Sequence, residues 1–265
     1  MKYRGPQIFM TRQKATVDSQ EMDHFAQFSN IWWNPNGSLK PLHRMNQIRI
    51  SLIKNGLINI GAIDKNIISS PMPLIDKKIL DVGCGGGILT EELAKHGGSI
   101  HGVDACEQLV KCANSHVKIN SNVTNLKYFC STIEDYVPHN FEYYDVVIAS
   151  EVIEHVTEKE MFIKCCIKCL KPGGSMFITT FNKNFGSWLF NIVLAERVFK
   201  TIPPGTHTLD KFIKLKDLEM ILQKYNCKTA GVKGTFFNCV TTNWSVINSD
   251  YFGYFLHAVK NKQQM

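Results

Sequence analysis

KKILDVGCGGG, residues 77–87, decides how the rest of the chain is read. Ile79, Leu80 and Val82 flank Asp81 and run straight into glycines. A short apolar run bounded by turn residues is the pattern of a buried strand. Gly83, Gly85, Gly86 and Gly87 lack the Cβ that would forbid left-handed backbone angles and hold a ligand away from the main chain. ILTEELAKHG, residues 88–97, has helical composition and closes on Gly97 and Gly98. Strand, glycine turn and helix in that order form the first unit of a doubly wound α/β sheet. The ligand crevice of such a sheet lies beyond the carboxyl ends of its strands.

Two carboxylates narrow the ligand. A second strand, residues 99–103, ends at Asp104, 21 residues after Gly83, where an acidic side chain accepts hydrogen bonds from ribose hydroxyls. Asp81 stands two residues before the first glycine, where a nicotinamide-binding loop, with a pyrophosphate close by, usually has an apolar residue. A carboxylate there suits a cofactor that has cationic groups and no phosphate. S-adenosylmethionine has an ammonium, a sulfonium and a ribose. The spacing D-x-G-x-G-x-G resembles that of the class I methyltransferases; a dinucleotide loop and a structural glycine turn are the alternatives at this point.

The chain's 265 residues, 44% of them hydrophobic, suit one α/β domain with additions. The expected division is a basic N-terminal segment over residues 1–20 and a single methyltransferase domain over 21–260. Residues 1–17 carry Lys2, Arg4, Arg12 and Lys14 with no acid before Asp18, a composition like the end of a mitochondrial transit peptide or a basic, disordered start. No run of eighteen apolar residues occurs, so no spanning helix is expected. Nine cysteines without repeated zinc spacing point to a reducing compartment. The net charge of +7 is matched by residues 159–228, where twelve Lys and Arg face five Asp and Glu. A basic half of this kind faces nucleic acid, an anionic membrane or only water.

Along the chain, helices are expected over about 20–30 and 43–55, on either side of the turn Asn34-Pro35-Asn36-Gly37, forming an N-terminal cap over the crevice. The adjacent Trp32 and Trp33 read first as packing, and Arg49 as either a surface residue or a bidentate grip on a cofactor carboxylate. Residues 125–130 give a third strand, followed by Glu134 and Asp135 near where adenine would lie. Residues 146–149 give a fourth, with Ser150 and Glu151 at its carboxyl end. Residues 175–180 give a fifth; 231–236 and 251–259 complete the sheet. The expected fold is Rossmann-like: a seven-stranded, mostly parallel sheet with one antiparallel strand and helices on both faces. A helical insertion, about residues 185–213, follows strand five. Its Trp188, Leu189, Ile192, Val193 and Phe199 fall near one helical face, suited either to a membrane interface or to packing on its own domain.

Glu151, Glu154 and His155 are spaced i, i+3, i+4, which on a helix projects all three to one side. Two carboxylates and an imidazole suit a divalent cation, Mg²⁺ or Mn²⁺ by their oxygens, Zn²⁺ or Fe²⁺ by the histidine. His155 is equally suited to act as a general base. Many class I methyltransferases have a similar E-H-V after strand four and bind no metal there.

Four segments taken together carry a closer resemblance: FSNIWWNPNGSLKPLHRMNQIR (28–49), LDVGCGGG (80–87), SEVIEHV (150–156) and PPGTHTLDKFIK (203–214). Over about residues 23–257 the chain resembles the ubiquinone biosynthesis O-methyltransferases in their mitochondrial form. The resemblance implies methylation of catechol hydroxyls on polyprenyl-dihydroxybenzoate and demethylubiquinol. It implies that Arg49, Gly83, Asp104 and Ser150 contact S-adenosylmethionine and that Glu151, Glu154 and His155 hold a cation, Mg²⁺ in those members. It further implies peripheral membrane contact through the 185–213 insertion, other ubiquinone-biosynthesis proteins as partners, and a place on the matrix side of the mitochondrial inner membrane. Rival readings are a methyltransferase of another small molecule and a non-catalytic member of a biosynthetic complex. A nucleic-acid substrate is not expected, because no Asn-Pro-Pro-Tyr-type motif follows strand four and the insertion is apolar.

Overall fold

A computed structural model describes residues 16–67, 69–119, 123–184, 211–238 and 240–262. Its centre is β1 (Lys78–Val82), hydrogen-bonded in parallel to β2 (Ser99–Asp104) on one side and β4 (Tyr144–Ser150) on the other. β3 (Leu126–Cys130) extends the sheet beyond β2, and β5 (Leu170–Phe181) beyond β4. The full order is β3-β2-β1-β4-β5-β8-β6-β7. The order reverses at β1, so the crevice at the carboxyl ends of β1 and β4 is the topological switch point.

Alternation along each strand fills both faces. Ile79 of β1 packs with Ile100, Val146, Ile148 and Phe177 under two helices, α2 (Lys40–Asn59) and α3 (Ile88–Lys95). Leu80 and Val82 point the other way, with Val147 and Ala149, under α6 (Lys159–Cys169) and α7 (Leu215–Lys224). Cys165, Cys166 and Cys169 are buried in that second layer as small apolar groups. α4 (Glu107–Ile119) follows β2, and α5 (Ile133–Tyr136) follows β3.

The cap forms as expected, with other bounds. α1 (Ser19–Ala26) stops early and gives way to a single 3₁₀ turn, Ser29–Ile31. α2 runs longer than expected at both ends, with Pro41 in its first turn, where a missing N–H costs nothing. Phe28, Trp32 and Leu39 pack there against Ile88, Cys106 and Leu109.

Among the described residues the sheet has eight strands where seven are expected, two of them antiparallel to the rest. β6 (Cys227–Asn238) and β8 (Gly253–Lys260) are the two late candidates, with β8 inserted between β5 and β6. The extra strand is β7 (Asn243–Ile247), an antiparallel edge against β6. Its five residues are half-buried or exposed, so it carries no apolar run to announce it. Among the described residues no helix is long and apolar enough to cross a membrane.

Candidate active site

A cavity of about 300 Å³ opens at the switch point. The glycine turn forms one wall. Gly83 has φ +71°, and its N–H donates to the Val103 carbonyl at 2.7 Å. A Cβ on Gly83 would stand 2.4 Å from Val152 Cγ2. Gly83→Ala is therefore expected to destabilise the fold by roughly 1–3 kcal/mol, through left-handed strain plus the clash. Chemical denaturation at constant m-value measures it.

Asp104 closes β2 with both carboxylate oxygens in use: one accepts from the Gly85 N–H at 2.8 Å, the other from the Cys106 N–H at 2.8 Å. Burial raises its pKa, and these two amides pull it back. Asp81, only 2% exposed, accepts from Thr90 Oγ1 at 2.7 Å. Burial pushes its pKa up to about 6, against the Thr90 hydroxyl and the Arg49 charge. Arg49 is 5% exposed, not a surface residue. It donates to Ser150 Oγ at 2.9 Å, to the Leu42 carbonyl at 3.0 Å and to Asn46 Oδ1 at 2.6 Å. Burial lowers its pKa to about 10, with the Glu151 and Asp81 carboxylates opposing. Ser150 in turn exchanges a hydrogen bond with Thr179 at 2.7 Å. One cavity thus presents a buried anion on β1 and a buried cation on α2, with a second carboxylate ending β2.

Glu151, Glu154 and His155 line the same cavity, but not from one α-helix. Glu151 leaves β4 with φ +56°, and Ile153–His155 is a single 3₁₀ turn. The i, i+3, i+4 projection therefore does not hold. Glu154 is buried and accepts from Thr180 Oγ1 at 2.9 Å. Glu151 has its pKa raised to about 8, by burial first and then by the neighbouring Glu154 carboxylate. The donor chemistry of this carboxylate pair suits a cation, yet among the described residues no three His, Cys, Asp or Glu side chains converge as a metal-holding group.

His155 has a different partner. Its Nδ1 lies 3.1 Å from Glu21 Oε2, across from α1, and the other Glu21 oxygen takes Lys211 Nζ. Burial works against the charged imidazole, but Glu21 and Glu154 outweigh it and hold the His155 pKa above its ordinary value. Burial likewise opposes the Glu21 carboxylate, and the contacts with His155 and Lys211 overcome it, lowering its pKa to about 2. Sequence reading misses Glu21 because Asp18 and Glu21 are spaced as a helix cap, and Asp18 does cap α1 by accepting from the Gln20 N–H at 2.9 Å. Lys211 lies in the PPGTHTLDKFIK segment, but only the fold sets it beside Glu21.

Glu134 and Asp135 do not line the cavity; Ser131, Thr132 and Ile133 do. Glu134 is buried and instead accepts from the Thr16 N–H at 3.3 Å. The apolar face of residues 188–199, and His207, lie outside the described residues. The end of the insertion is described: Phe212 and Ile213 are buried, and Phe212 lines the cavity together with Phe25, Phe28, Phe181 and Trp244.

Sheet order, glycine turn and the acid ending β2 define the S-adenosylmethionine-dependent class I methyltransferase fold. A family model described as a methyltransferase domain matches residues 63–230. Among solved structures, magnesium protoporphyrin IX methyltransferase from Synechocystis with bound S-adenosylhomocysteine superposes with a TM-score of 0.62 at 18% identity, over 91% of this chain and 99% of that one. The mitochondrial ubiquinone biosynthesis O-methyltransferase of Dictyostelium discoideum is 43% identical over 91% of this chain and 77% of its own length. The mouse protein of the same name is 38% identical over 99% and 70%. The Pelagibacter ubique ubiquinone biosynthesis O-methyltransferase is 37% identical over 93% and 99%. The chain belongs to the ubiquinone biosynthesis O-methyltransferase family, and it is an S-adenosylmethionine-dependent O-methyltransferase.

Proposed function

We propose that this enzyme methylates ring hydroxyls of polyprenylated catechols, polyprenyl-dihydroxybenzoate and demethylubiquinol, at two steps of ubiquinone synthesis. The observation that carries the reading is the composition of one cavity. Asp81, Arg49 and Asp104 line it with the glycine turn, His155 backed by Glu21 lines it as well, and Phe25, Phe28, Phe181, Phe212 and Trp244 give it aromatic walls. Asp104 would receive the ribose hydroxyls, Arg49 the carboxylate and Asp81 the cationic amino-acid end of the cofactor, with Gly83 and Ser150 in contact beside them. Bound S-adenosylmethionine supplies an electrophilic methyl group.

The chain's own task is to hold the catechol in line and to take its proton. A phenolic hydroxyl titrates near 10, so its anion is scarce at neutral pH. His155, with Nδ1 committed to Glu21, has Nε2 left to accept that proton. The aromatic walls give the cavity an apolar lining, and an apolar site favours the approach of a phenolate to a cation.

The magnesium ion implied by resemblance rests on the chemistry of the Glu151–Glu154 pair and not on convergence of the three side chains, so no step is routed through it. Peripheral membrane contact through residues 185–213, association with other proteins of the pathway, and a place at the matrix face of the mitochondrial inner membrane extend the same reading. Of these, the mitochondrial place is supported by the naming of mitochondrial relatives.

The test is transfer of labelled methyl to a short-tailed dihydroxybenzoate, with chelator and then with Mg²⁺ restored. Methylation of one ring hydroxyl is expected. Transfer that chelator abolishes and Mg²⁺ restores assigns Glu151, Glu154 and His155 to the ion. Transfer indifferent to chelator removes the ion and keeps His155 as base. No transfer to any catechol, with cofactor still bound, overturns the substrate.

A further inference from the structure

The paired tryptophans of the cap are used unequally. Both grip the glycine turn. Trp33 Nε1 donates to the Gly86 carbonyl at 2.8 Å, and its ring stacks on His116, which is bonded to Glu91. Trp32 lies directly on the turn: a Cβ on Gly85 would stand 2.4 Å from its Cζ2, and one on Gly86 2.4 Å from its Cδ1. Gly85 also has φ +54°, so both backbone and neighbour exclude a side chain there. His43 Nε2 meets the Trp32 carbonyl at 2.9 Å and fixes the main chain.

Packing accounts for the Trp32 ring, which is 6% exposed among Phe28, Leu39 and Ile88. It does not account for the indole N–H. Trp32 Nε1 is buried without a hydrogen-bond partner among the described residues, whereas Trp33 and Trp244 each have a carbonyl acceptor, Gly86 and Pro41. A buried donor left unmade costs roughly 1–3 kcal/mol. Trp32 lines the cofactor cavity, and so does Arg49, whose Nε is also buried and unpartnered among the described residues. Two orphan donors on residues that line one cavity point to an acceptor brought by a ligand. On the reading above, Asp104 would take the ribose hydroxyls, and a base joined to that ribose would reach Ser131–Ile133, which line the cavity beyond β3; that leaves the amino-acid carboxylate. It is also the ligand's one anion, to which an N–H bond is worth most.

We propose that Trp32 is a cofactor-binding residue: its indole N–H donates to the amino-acid carboxylate of S-adenosylmethionine while its ring closes the cavity over Gly85 and Gly86. The inference rests on the cofactor reading above but not on the methyl acceptor. It also gives WWNPNG a role at the site, where sequence alone offers only packing.

Trp32→Phe keeps a ring on the turn and removes the donor. Titration calorimetry with two probes reads the result: S-adenosylhomocysteine, which has the amino-acid end, and 5′-methylthioadenosine, which shares adenosine and sulfur and lacks that end. The dissociation constant for S-adenosylhomocysteine is expected to rise about tenfold or more, with that for methylthioadenosine unchanged. Equal losses for both probes, or no loss for either, overturn the proposal, since lost packing would affect the shared adenosine half as well. A second measurement needs no variant at position 32. In wild-type protein labelled with ¹⁵N at its four tryptophan indoles, the Trp32 resonance is assigned by replacing the other three one at a time. It should shift with S-adenosylhomocysteine and stay in place with methylthioadenosine; a resonance that ignores both overturns the assignment. Failure of wild-type protein to bind S-adenosylhomocysteine at all would remove the cofactor reading and this proposal together.

Discussion

Asp81→Asn is expected to make the empty enzyme more stable at pH 8 and the liganded enzyme less so. Asp81 is 2% exposed, and burial lifts its pKa from 3.8 to about 6. A carboxyl whose folded pKa is raised contributes stability that is fully present below the unfolded value and is lost as pH rises through the folded one. The window here is therefore pH 4 to 6, and above it the ionised side chain costs the fold up to about 3 kcal/mol, at 1.36 kcal/mol per pKa unit. Asparagine keeps an acceptor for the Thr90 hydroxyl and carries no charge. Loss of the attraction to Arg49 offsets part of the gain, so the net expectation is a melting temperature higher by a few degrees at pH 8 and a flatter stability curve between pH 4 and 6. The cofactor's cationic end loses its counter-charge in the same substitution, and affinity should fall about 10- to 100-fold. At saturating S-adenosylhomocysteine the wild type regains up to about 2.7 kcal/mol over a variant binding a hundredfold more weakly. The two melting curves should then exchange order. Scanning calorimetry at pH 4, 6 and 8, with and without ligand, is the measurement; a variant less stable than wild type when empty at pH 8 would contradict the account.

That trade has a sequence signature, which is why this half of the site is legible without coordinates. A carboxylate inside an apolar run, two residues before a glycine turn, is a local conflict between burial and charge. Conflicts of that kind concentrate at functional sites. Asp81, Gly83 and Asp104 lie on consecutive strand ends, so strand periodicity alone brings them together. Arg49 is harder, because helical periodicity does not say that position 49 of α2 faces the crevice. It is drawn in by Ser150, Asn46 and the Leu42 carbonyl. The other half of the site resists reading because its spacing suggests the wrong element. A carboxylate at i, i+3, i+4 with two partners reads as a helix face, while Glu151 turns left-handed at φ +56° and breaks the helix before it starts. Glu21 and Lys211, 190 residues apart in the chain, meet only because α1 folds across the ends of the strands. The edge strand β7 is missed for a different reason: exposure removes the apolar signal from its residues.

Glu21→Gln is expected to lower kcat about 10- to 100-fold while leaving the cofactor dissociation constant within twofold, and the reason is where its two oxygens go. One holds His155 Nδ1 and the other Lys211 Nζ. The carboxylate orients the imidazole with Nε2 as the free nitrogen and holds its pKa above the ordinary value against burial. Glutamine retains an acceptor but removes the charge, so burial then prevails and the His155 pKa drops. A weaker base takes the phenolic proton less readily, which is the expected loss in kcat. The same drop moves the acid limb of the pH–rate profile to lower pH, so the deficit should shrink below neutrality and be greatest above it. A purely structural loss of the α1 contact would lower the rate at every pH and would weaken the cofactor too, since Met22 and Phe25 of that helix line the same cavity. His155→Ala removes the base and should cost roughly 10²- to 10⁴-fold. If Glu21 acts through His155, adding Glu21→Gln to His155→Ala should change kcat by less than about twofold, the non-additivity expected of residues that work as one unit. Full additivity in that cycle would assign Glu21 to Lys211 and the tether of α1, and return His155 to acting alone.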